Sequence, residues 1–220
     1  MAVAVAVPEA GVTGLPQTSS GSVIGDGLSA VQDEISGADV VLVGPGLDDP
    51  GLTATLVRAL IPLLDPKTRL VVDAYALGVL ADLEDVIEPV HGRLVLTPNH
   101  QEASRLLERE VTDDADDSRA IAARYGAVVT LKGVVADPEG RTWQIGTGHG
   151  GPGTSGSGDV LAGAVAGLLA RGSAVDQAAR WAAHLHAAAG DRLTARVGVV
   201  GYLARELLDE IPVVMVELST

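Results

Sequence analysis

Short apolar runs alternate along this chain with segments whose apolar residues recur at helical spacing. The runs predict strands in ADVVLVGPG (38–46), TRLVVDAYAL (68–77), RLVLTPNHQEASRLL (93–107) and ARYGAVVTLKG (123–133). In the third of these, a Thr-Pro turn and a helix follow the strand, and LTATLVRALIPLL (52–64) has helical spacing throughout. Strands that alternate with helices predict βαβ units, hence an α/β fold with a mainly parallel sheet and helices on both faces.

The two ends of the chain extend this pattern. AVAVAV (2–7) predicts a buried strand that ends at Pro8, and the Gly-, Ser- and Thr-rich residues 11–29 predict a loop. VVADPEGRTWQIG (134–146) predicts a hairpin with Pro-Glu-Gly at its tip. Three further predicted elements are helices, at 159–171, at 174–193 and at 201–210 before Pro212.

Composition bounds the class of protein. The 220 residues are 47% hydrophobic, which is enough for one sizeable core, so we expect a single domain over residues 1–220. Phenylalanine is absent and aromatic residues make up 2% of the chain, so the core must come from Val, Leu, Ile and Ala. That supply suits a parallel sheet covered by helices.

Charge and cysteine content narrow the function. Fifteen basic and 29 acidic residues give a net charge of −14, which argues against nucleic acid and against anionic membrane surfaces as partners. The chain has no cysteine, so disulfides and thiolate chemistry are excluded. No signal peptide or membrane-spanning apolar run is visible, and we expect a cytoplasmic location. The acidic run EREVTDDADD (108–117) predicts a solvated loop and helix cap.

A glycine-rich stretch carries the most specific chemistry. PGTSGSGDVLAGAVAGLLARG (152–172) places Ser155, Gly156, Ser157 and Gly158 directly before an aspartate and an apolar helix. Backbone N–H groups at a helix N-terminus favour an anion, so these residues predict a phosphate cradle. Asp159 can then accept a proton from a substrate hydroxyl during phosphoryl transfer. The alternative is that Asp159 is only a first-turn residue favoured by the helix dipole.

Companion motifs identify a family. GSGDVLAGAVAGLLARG, TPNHQE and VVTLKG resemble the anion-hole, N-x-x-E and nucleotide-site elements of the ribokinase-like superfamily. Together with VLVGPG, VVDAYAL and HLHAAAGDRL, they resemble the ADP/ATP-dependent NAD(P)H-hydrate dehydratases over about residues 38–212. The resemblance implies a ribokinase-like three-layer sandwich. It also implies a lyase of metabolite repair that uses ADP or ATP to phosphorylate the hydroxyl of hydrated NADH or NADPH, after which phosphate elimination restores the nicotinamide double bond.

The resemblance also implies roles for individual residues. Asp159 would be the base on the hydrate hydroxyl, and Glu102 would place Mg²⁺ through water. The remaining implied residues are those at the nucleotide, Lys132, Gly133, Gly156, Ser157 and Gly158, and those that face the hydrate, Gly46 and Asn99. The implied partners are the NADH and NADPH hydrates, further copies of the chain in a homo-oligomer (a tetramer in the family), and a separate or fused epimerase.

Three departures from the family pattern carry expectations of their own. The family's N-terminal strand and helix, with a Gly-Gly-Ser element, precede the point at which this sequence begins, so we expect an N-terminally shortened domain. Asn99-His100-Gln101-Glu102 stands where many members have His-Pro-Gly-Glu, which moves the pattern toward sugar and vitamin kinases. VVADPEG follows Lys132-Gly133 at once, which predicts a shorter nucleotide wall.

Other residues keep two interpretations. Asp73 at the end of a strand fits a functional or a turn-stabilising role, and His149 is a weaker candidate for substrate contact. His184 and His186 do not share a helical face, so packing or capping is favoured over a metal pair. Trp143 fits hairpin packing, and Trp181 fits the core or an interface.

Two other functions remain open at this point. One is a ribokinase-like kinase of a small hydroxylated metabolite or vitamin precursor, which Asn99 favours slightly. The other is an inactive nucleotide-binding remnant, which the shortened N-terminus motivates. The Gly-Pro-Gly turn (44–46) and the TSGSGDVLAG loop favour the dehydratase.

Overall fold

A six-stranded sheet organises the molecule. The computed structural model describes residues 2–148 and 154–219. The strands are β1 (Val40–Val43), β2 (Arg69–Val72), β3 (Leu94–Leu96), β4 (Ala127–Leu131), β5 (Val134–Ala136) and β6 (Thr142–Gln144), and they lie in the order β1-β2-β3-β4-β5-β6. Strands β1 to β4 are parallel, whereas β5 and β6 are antiparallel to their neighbours. The predicted mainly parallel sheet is thus confirmed.

Helices join the parallel strands and cover both faces of the sheet. The α-helices of the described residues are α1 (Ala2–Ala6), α2 (Gln32–Ser36), α3 (Pro50–Leu60), α4 (Ala74–Leu77), α5 (Glu84–Ile87), α6 (His100–Leu107), α7 (Asp114–Tyr125), α8 (Ser157–Ala170), α9 (Val175–Val197) and α10 (Leu207–Glu217). Short 3-10 segments lie at Gly27–Val31, Ile61–Leu63, Leu80–Asp82, Glu88–Val90 and Ala204–Glu206. No helix of the described residues is long and apolar enough to cross a membrane.

Alternate residues of the parallel strands pack into two hydrophobic cores, one on each face of the sheet. Leu70 and Val72 of β2 pack with α3 to α7 on one face, whereas Val71 packs with α8 and α9 on the other. Because both faces are covered, the strands read as continuous apolar runs rather than as alternating ones. The result is the expected three-layer arrangement of helices, sheet and helices.

Local sequence sets the helix starts. Asp49 caps α3 by accepting a hydrogen bond from the Leu52 N–H at 2.8 Å, and Pro50 occupies the first helical position. Asp113 caps α7 in the same way, with its Oδ1 accepting from the N–H groups of Ala115 and Asp116. The acidic run therefore does supply a helix cap, as predicted.

One residue of that run is not solvated. Asp117 is buried, and its carboxylate accepts hydrogen bonds from the Arg109 guanidinium and from the N–H groups of Thr112 and Asp113. Burial alone would raise the pKa of Asp117, but these donors prevail and lower it to about 2. The expectation of a fully solvated run is wrong at this position, because the chain after α6 folds back over it.

The predicted hairpin at 134–146 is confirmed as β5 and β6, with Pro-Glu-Gly in the turn between them. A second tight turn joins β4 to β5 through Lys132 and Gly133, whose φ angles are 49° and 81°. Two consecutive residues at positive φ are what a two-residue type I′ turn requires. This turn presents Lys132 at the end of β4.

The N-terminal prediction is wrong. Residues 2–7 do not form a buried strand: Ala2–Ala6 is a helical turn, continued by the Val7 N–H, which donates to the Val3 carbonyl at 2.8 Å. The side chains of Val3, Val5 and Val7 are all exposed. A strand needs a neighbouring strand for its backbone groups, and β1 pairs only with β2 among the described strands. The segment satisfies its backbone locally instead.

Three predicted boundaries also shift. β2 stops at Val72, because a turn at Asp73 and Ala74 leads into α4, so the predicted strand 68–77 is half helix. β4 begins only after Gly126, since residues 123–125 belong to α7. The last predicted helix does not end before Pro212, because α10 runs through it. Burial of Leu207 and Val214 on either side outweighs the single backbone hydrogen bond that a proline removes.

Candidate functional site

The carboxyl ends of the four parallel strands bring the predicted polar residues to one edge of the sheet. The Gly44–Gly46 turn follows β1, Asp73 follows β2, Asn99 follows β3 by three residues, and Lys132 follows β4. Parallel strands end on the same side, and ligands of open α/β sheets bind there. The fold therefore gathers on one edge residues that lie far apart in the sequence.

Asp73 lies buried at the centre of this edge. Its Oδ1 accepts a hydrogen bond of 2.6 Å from the Thr97 hydroxyl, which comes from the end of the neighbouring strand. Burial raises the pKa of Asp73, the donors Thr97 and the Ala74 N–H oppose that rise, and the charge of Asp159 adds to it. Asp73 and Asp159 are therefore within electrostatic reach of each other.

Glu102 and Asn99 form a capping box at the start of α6. The Asn99 Oδ1 accepts from the Glu102 N–H at 3.0 Å, and the Glu102 Oε2 accepts from the Asn99 N–H at 2.8 Å. Burial raises the pKa of Glu102, the Asn99 N–H lowers it, and the nearby charge of Asp73 raises it further. Glu102 and Asp73 are thus carboxylates that influence each other's charge at the same edge of the sheet.

The start of α8 follows the glycine-rich stretch directly. Gly156 precedes the helix with φ of 87°, a left-handed conformation that glycine adopts readily, and the Val160 N–H donates to its carbonyl at 3.3 Å. Ser155, Gly158 and Asp159 are exposed. The Ser157 N–H donates to the Thr154 carbonyl at 3.1 Å, and Asp159 lies in the first turn of this 14-residue helix, at the end whose dipole favours anions.

An apolar groove of about 390 Å³ runs away from Asp159 between α8 and α10. Its lining consists of Asp159, Val160, Gly163, Ala164, Leu208, Ile211 and Pro212. Asp159 supplies the only carboxylate of this lining. An apolar surface that ends at a carboxylate can hold the uncharged part of a ligand while the carboxylate faces its hydroxyl.

Strained backbone marks the same edge. Three non-glycine residues of the described chain have positive φ. Two of them come just after parallel strands: Ala74 is the second residue after β2, and Lys132 is the first residue after β4. Such conformations cost free energy and concentrate at functional sites. The third, Glu108, ends α6 in the left-handed conformation that commonly terminates helices.

Gly44 holds the ends of β1 and β2 together. Its φ is 131°, and a Cβ atom at this position would overlap the carbonyl oxygen of Asp73. The Asp73 N–H donates to the Val43 carbonyl at 3.1 Å beside this contact. Only glycine fits, so Gly44 sets how closely Asp73 approaches the first turn. Gly46, with φ of 81°, has open space around it.

The predicted metal role of Glu102 has a limited basis in the geometry. Within residues 2–148 and 154–219, no group of three or more His, Asp or Glu side chains is placed to hold a metal ion. Mg²⁺ at nucleotide sites is bound by one or two carboxylates, with phosphate oxygens and water completing the octahedron. Glu102 is therefore suited to an ion held mainly by phosphate and water, and the described residues do not form a cage of protein ligands.

The remaining histidine and tryptophan candidates of the described chain lie on α9 or contact it. His184 Nδ1 lies 3.2 Å from the Thr147 hydroxyl, and His186 Nε2 lies 2.9 Å from the Ser157 carbonyl, so the two rings serve different partners, as their faces predict. Trp143 packs under the Arg180 guanidinium, at 4.5 Å from the ring centroid. Trp181 is 50% exposed, which rules out the core, and its place in an interface stays a prediction. His149 lies outside the described residues.

Sequence reasoning missed Thr97, Ala74 and Asp191. Thr97 was seen only as part of a turn, and no local signal reveals that its hydroxyl faces Asp73. The strain at Ala74 is invisible in its residue type. Asp191 accepts from the Gly148 N–H at 2.9 Å, across more than forty residues. A polar residue in the Ala-rich helix was the one available signal for it.

Comparison with known proteins places the chain among relatives. The family model described as NAD(P)H-hydrate dehydratase matches residues 2–213. A bifunctional NAD(P)H-hydrate repair enzyme of Moorella thermoacetica is 39% identical over 208 residues, which are 91% of this chain and 39% of that protein. An ADP-dependent (S)-NAD(P)H-hydrate dehydratase of Xanthomonas campestris is 38% identical over 216 residues, 95% of this chain and 72% of that protein.

Solved structures agree on the fold. A ribokinase-like superfamily protein of Enterococcus faecalis superposes with a TM-score of 0.79 at 24% identity, over 98% of this chain and 72% of that one. The expected ribokinase-like α/β architecture is confirmed. With a family model that covers nearly its whole length and two relatives well above 30% identity, this chain belongs to the NAD(P)H-hydrate dehydratase family.

Proposed function

We propose that this chain catalyses the nucleotide-dependent dehydration of hydrated NADH and NADPH. One observation carries the proposal: Asp159 lies exposed in the first turn of α8, directly after the left-handed Gly156, at the helix end whose dipole favours an anion. One relative above 35% identity is named an ADP-dependent (S)-NAD(P)H-hydrate dehydratase, and another is named a bifunctional NAD(P)H-hydrate repair enzyme. The phosphoryl donor is therefore ADP or ATP.

We assign each step of this reaction to residues of the site. The Asp159 carboxylate takes the proton from the hydrate hydroxyl as the hydroxyl oxygen attacks the terminal phosphorus of the nucleotide. The bond from that phosphorus to the bridging oxygen breaks, and the shortened nucleotide leaves with the bridging oxygen. The N–H groups at Gly156 and Gly158 stabilise the negative charge on the transferring phosphoryl group. Ser157, whose own N–H donates to the Thr154 carbonyl, borders the nucleotide. Phosphate then leaves with the electron pair of its C–O bond, a proton leaves the neighbouring ring carbon to water, and the electron pair of that C–H bond becomes the restored nicotinamide double bond. The apolar groove beside Asp159 suits the uncharged ring.

The other site residues act by binding. Lys132, at the exposed turn after β4, and Gly133 border the nucleotide, whereas Gly46 and Asn99 face the hydrate. Glu102 would hold Mg²⁺ through water. The ion, when bound, neutralises phosphate charge.

The capping box weakens the kinase alternative. Asn99 favoured a kinase through its N-x-x-E spacing, but its amide oxygen is engaged by the Glu102 N–H. Asn, Ser, Thr and Asp all make this contact, so the pattern follows from helix capping and says little about substrate.

The tetramer, the epimerase partner and the cytoplasmic location stay predictions.

The test is recovery of reduced-nicotinamide absorbance from purified NADH hydrate, with Mg²⁺ and either ADP or ATP. Asp159→Asn removes the base while keeping the shape of the side chain, and we expect its kcat to fall at least about 10²-fold. Asp209→Asn is the matched control, because Asp209 is an exposed acidic residue in the first turn of α10 and shares only the helix-dipole effect. Equal loss in both variants would reduce Asp159 to a helix-start residue and overturn the assignment.

A further inference from the structure

Helix α9 contacts both flanks of the glycine-rich segment. On the upstream flank, His184 bonds the Thr147 hydroxyl and Asp191 accepts from the Gly148 N–H. On the downstream flank, His186 bonds the Ser157 carbonyl. His184 and Asp191 are seven residues apart and share one helical face, whereas His186 points from another face toward α8. One rigid 23-residue helix is therefore the support of the phosphate-binding turn.

The contact of His186 is directional and shielded from water. The ring is 9% exposed, and its Nε2 lies 2.9 Å from a carbonyl oxygen, so Nε2–H donates and the Ser157 carbonyl accepts. Burial lowers the pKa of His186, and the bond to Ser157 only partly opposes it. The ring is therefore neutral at physiological pH, with its proton on Nε2.

The acceptor is the first residue of α8, where orientation matters most. Gly156 before it has no side chain with which to cap the helix, and the first backbone bond, from the Val160 N–H to the Gly156 carbonyl, is long at 3.3 Å. A hydrogen bond from the neighbouring helix to Ser157 fixes the direction of this turn. The N–H groups that face the phosphates and the Asp159 carboxylate, two residues further on, move with it.

We propose that His186 is a positioning residue that aligns the first turn of α8, and with it the phosphate-binding N–H groups and Asp159, through its hydrogen bond to the Ser157 carbonyl. This inference rests on the proposed function, since it assigns nucleotide phosphates to that turn. His186 itself touches no reacting atom. Misplacement of oriented groups by a fraction of an ångström to an ångström is costly for phosphoryl transfer, which depends on positioning.

Two substitutions separate alignment from packing. His186→Met fills a similar volume with an apolar chain and removes the donor, whereas the amide of His186→Gln reaches the Ser157 carbonyl with an N–H. We expect His186→Met to weaken ADP binding by about three- to tenfold and to lower kcat by about ten- to a hundredfold. We expect His186→Gln to recover most of both. Leu193→Ala, at a fully buried position of the same helix, is the control for general destabilisation.

ADP binding by calorimetry and dehydration of NADH hydrate are measured on all four proteins, alongside thermal melting. The proposal holds if His186→Met loses affinity and kcat beyond the Leu193→Ala control while His186→Gln does not. Wild-type parameters in His186→Met, or no recovery in His186→Gln, would overturn it. If the wild type binds ADP without dehydrating the hydrate, the proposed reaction fails while the binding series still decides the role of His186. A wild type that does neither overturns both.

Discussion

Substitution of Gly44 by alanine tests how the catalytic edge is built. The residue has φ of 131°, and a Cβ would overlap the Asp73 carbonyl oxygen, so the ends of β1 and β2 must separate. The unfavourable backbone conformation costs about 1–3 kcal/mol. Weakening the hydrogen bond from the Asp73 N–H to the Val43 carbonyl costs about 1 kcal/mol more. Together with the steric overlap, we expect Gly44→Ala to lower the free energy of unfolding by about 3–5 kcal/mol.

Gly46→Ala is the matched control, two residues away. Its φ of 81° carries a similar backbone cost, but nothing lies within 4 Å of its added Cβ. We therefore expect Gly46→Ala to lower the free energy of unfolding by only about 1–2 kcal/mol. Urea unfolding followed by circular dichroism gives both values from the transition midpoints. Equal losses in the two variants would show that backbone conformation alone matters, and would refute the close approach of Gly44 to Asp73.

Three more substitutions test particular charges and turns. Asp73→Asn keeps an acceptor for Thr97 and removes a carboxylate whose pKa is raised by burial. Because of that raised pKa, this carboxyl lowers the stability of the wild type as the pH rises above the ordinary carboxyl range. The variant should therefore melt at a higher temperature at neutral pH and lack that decline. Asp117→Asn should lower the free energy of unfolding by about 2 kcal/mol at neutral pH. Since the pKa of Asp117 is about 2, the greater stability of the wild type should disappear as the pH falls from about 4 toward 2. Unfolding measured across this pH range checks both statements. Lys132→Asn should raise the free energy of unfolding by up to about 1 kcal/mol, because asparagine tolerates the positive φ of this position. The same variant should bind ADP more weakly in calorimetry. Unchanged affinity would show that Lys132 is not part of the nucleotide site.

The layer architecture follows from the sequence because burial on two faces leaves a clear pattern. VVLV, the LVV of β2 and LVL are uninterrupted apolar runs, and each is followed by turn residues and a helical segment. The hairpin at 134–146 was predictable from Pro-Glu-Gly. These signals are local, so one sequence suffices to read them.

The errors come where a distant partner decides the structure. AVAVAV alternates as a strand does, but no described strand lies beside it, and it becomes a helical turn. Pro212 reads as a helix stop, yet packing on both sides carries α10 past it. The side-chain partners within the site, such as Thr97 on Asp73 and His186 on Ser157, join residues more than twenty positions apart. Such contacts leave no local pattern.

Nucleotide-dependent recovery of NADH from its hydrate, in wild type beside Asp159→Asn, is the most direct test of the account. We predict that absorbance recovers with Mg²⁺ and ADP or ATP, requires the nucleotide, and falls by about 10²-fold or more in the variant while ADP still binds. Full recovery in Asp159→Asn would contradict the assignment of the base. No recovery in the wild type, with ADP bound, would contradict the proposed reaction itself.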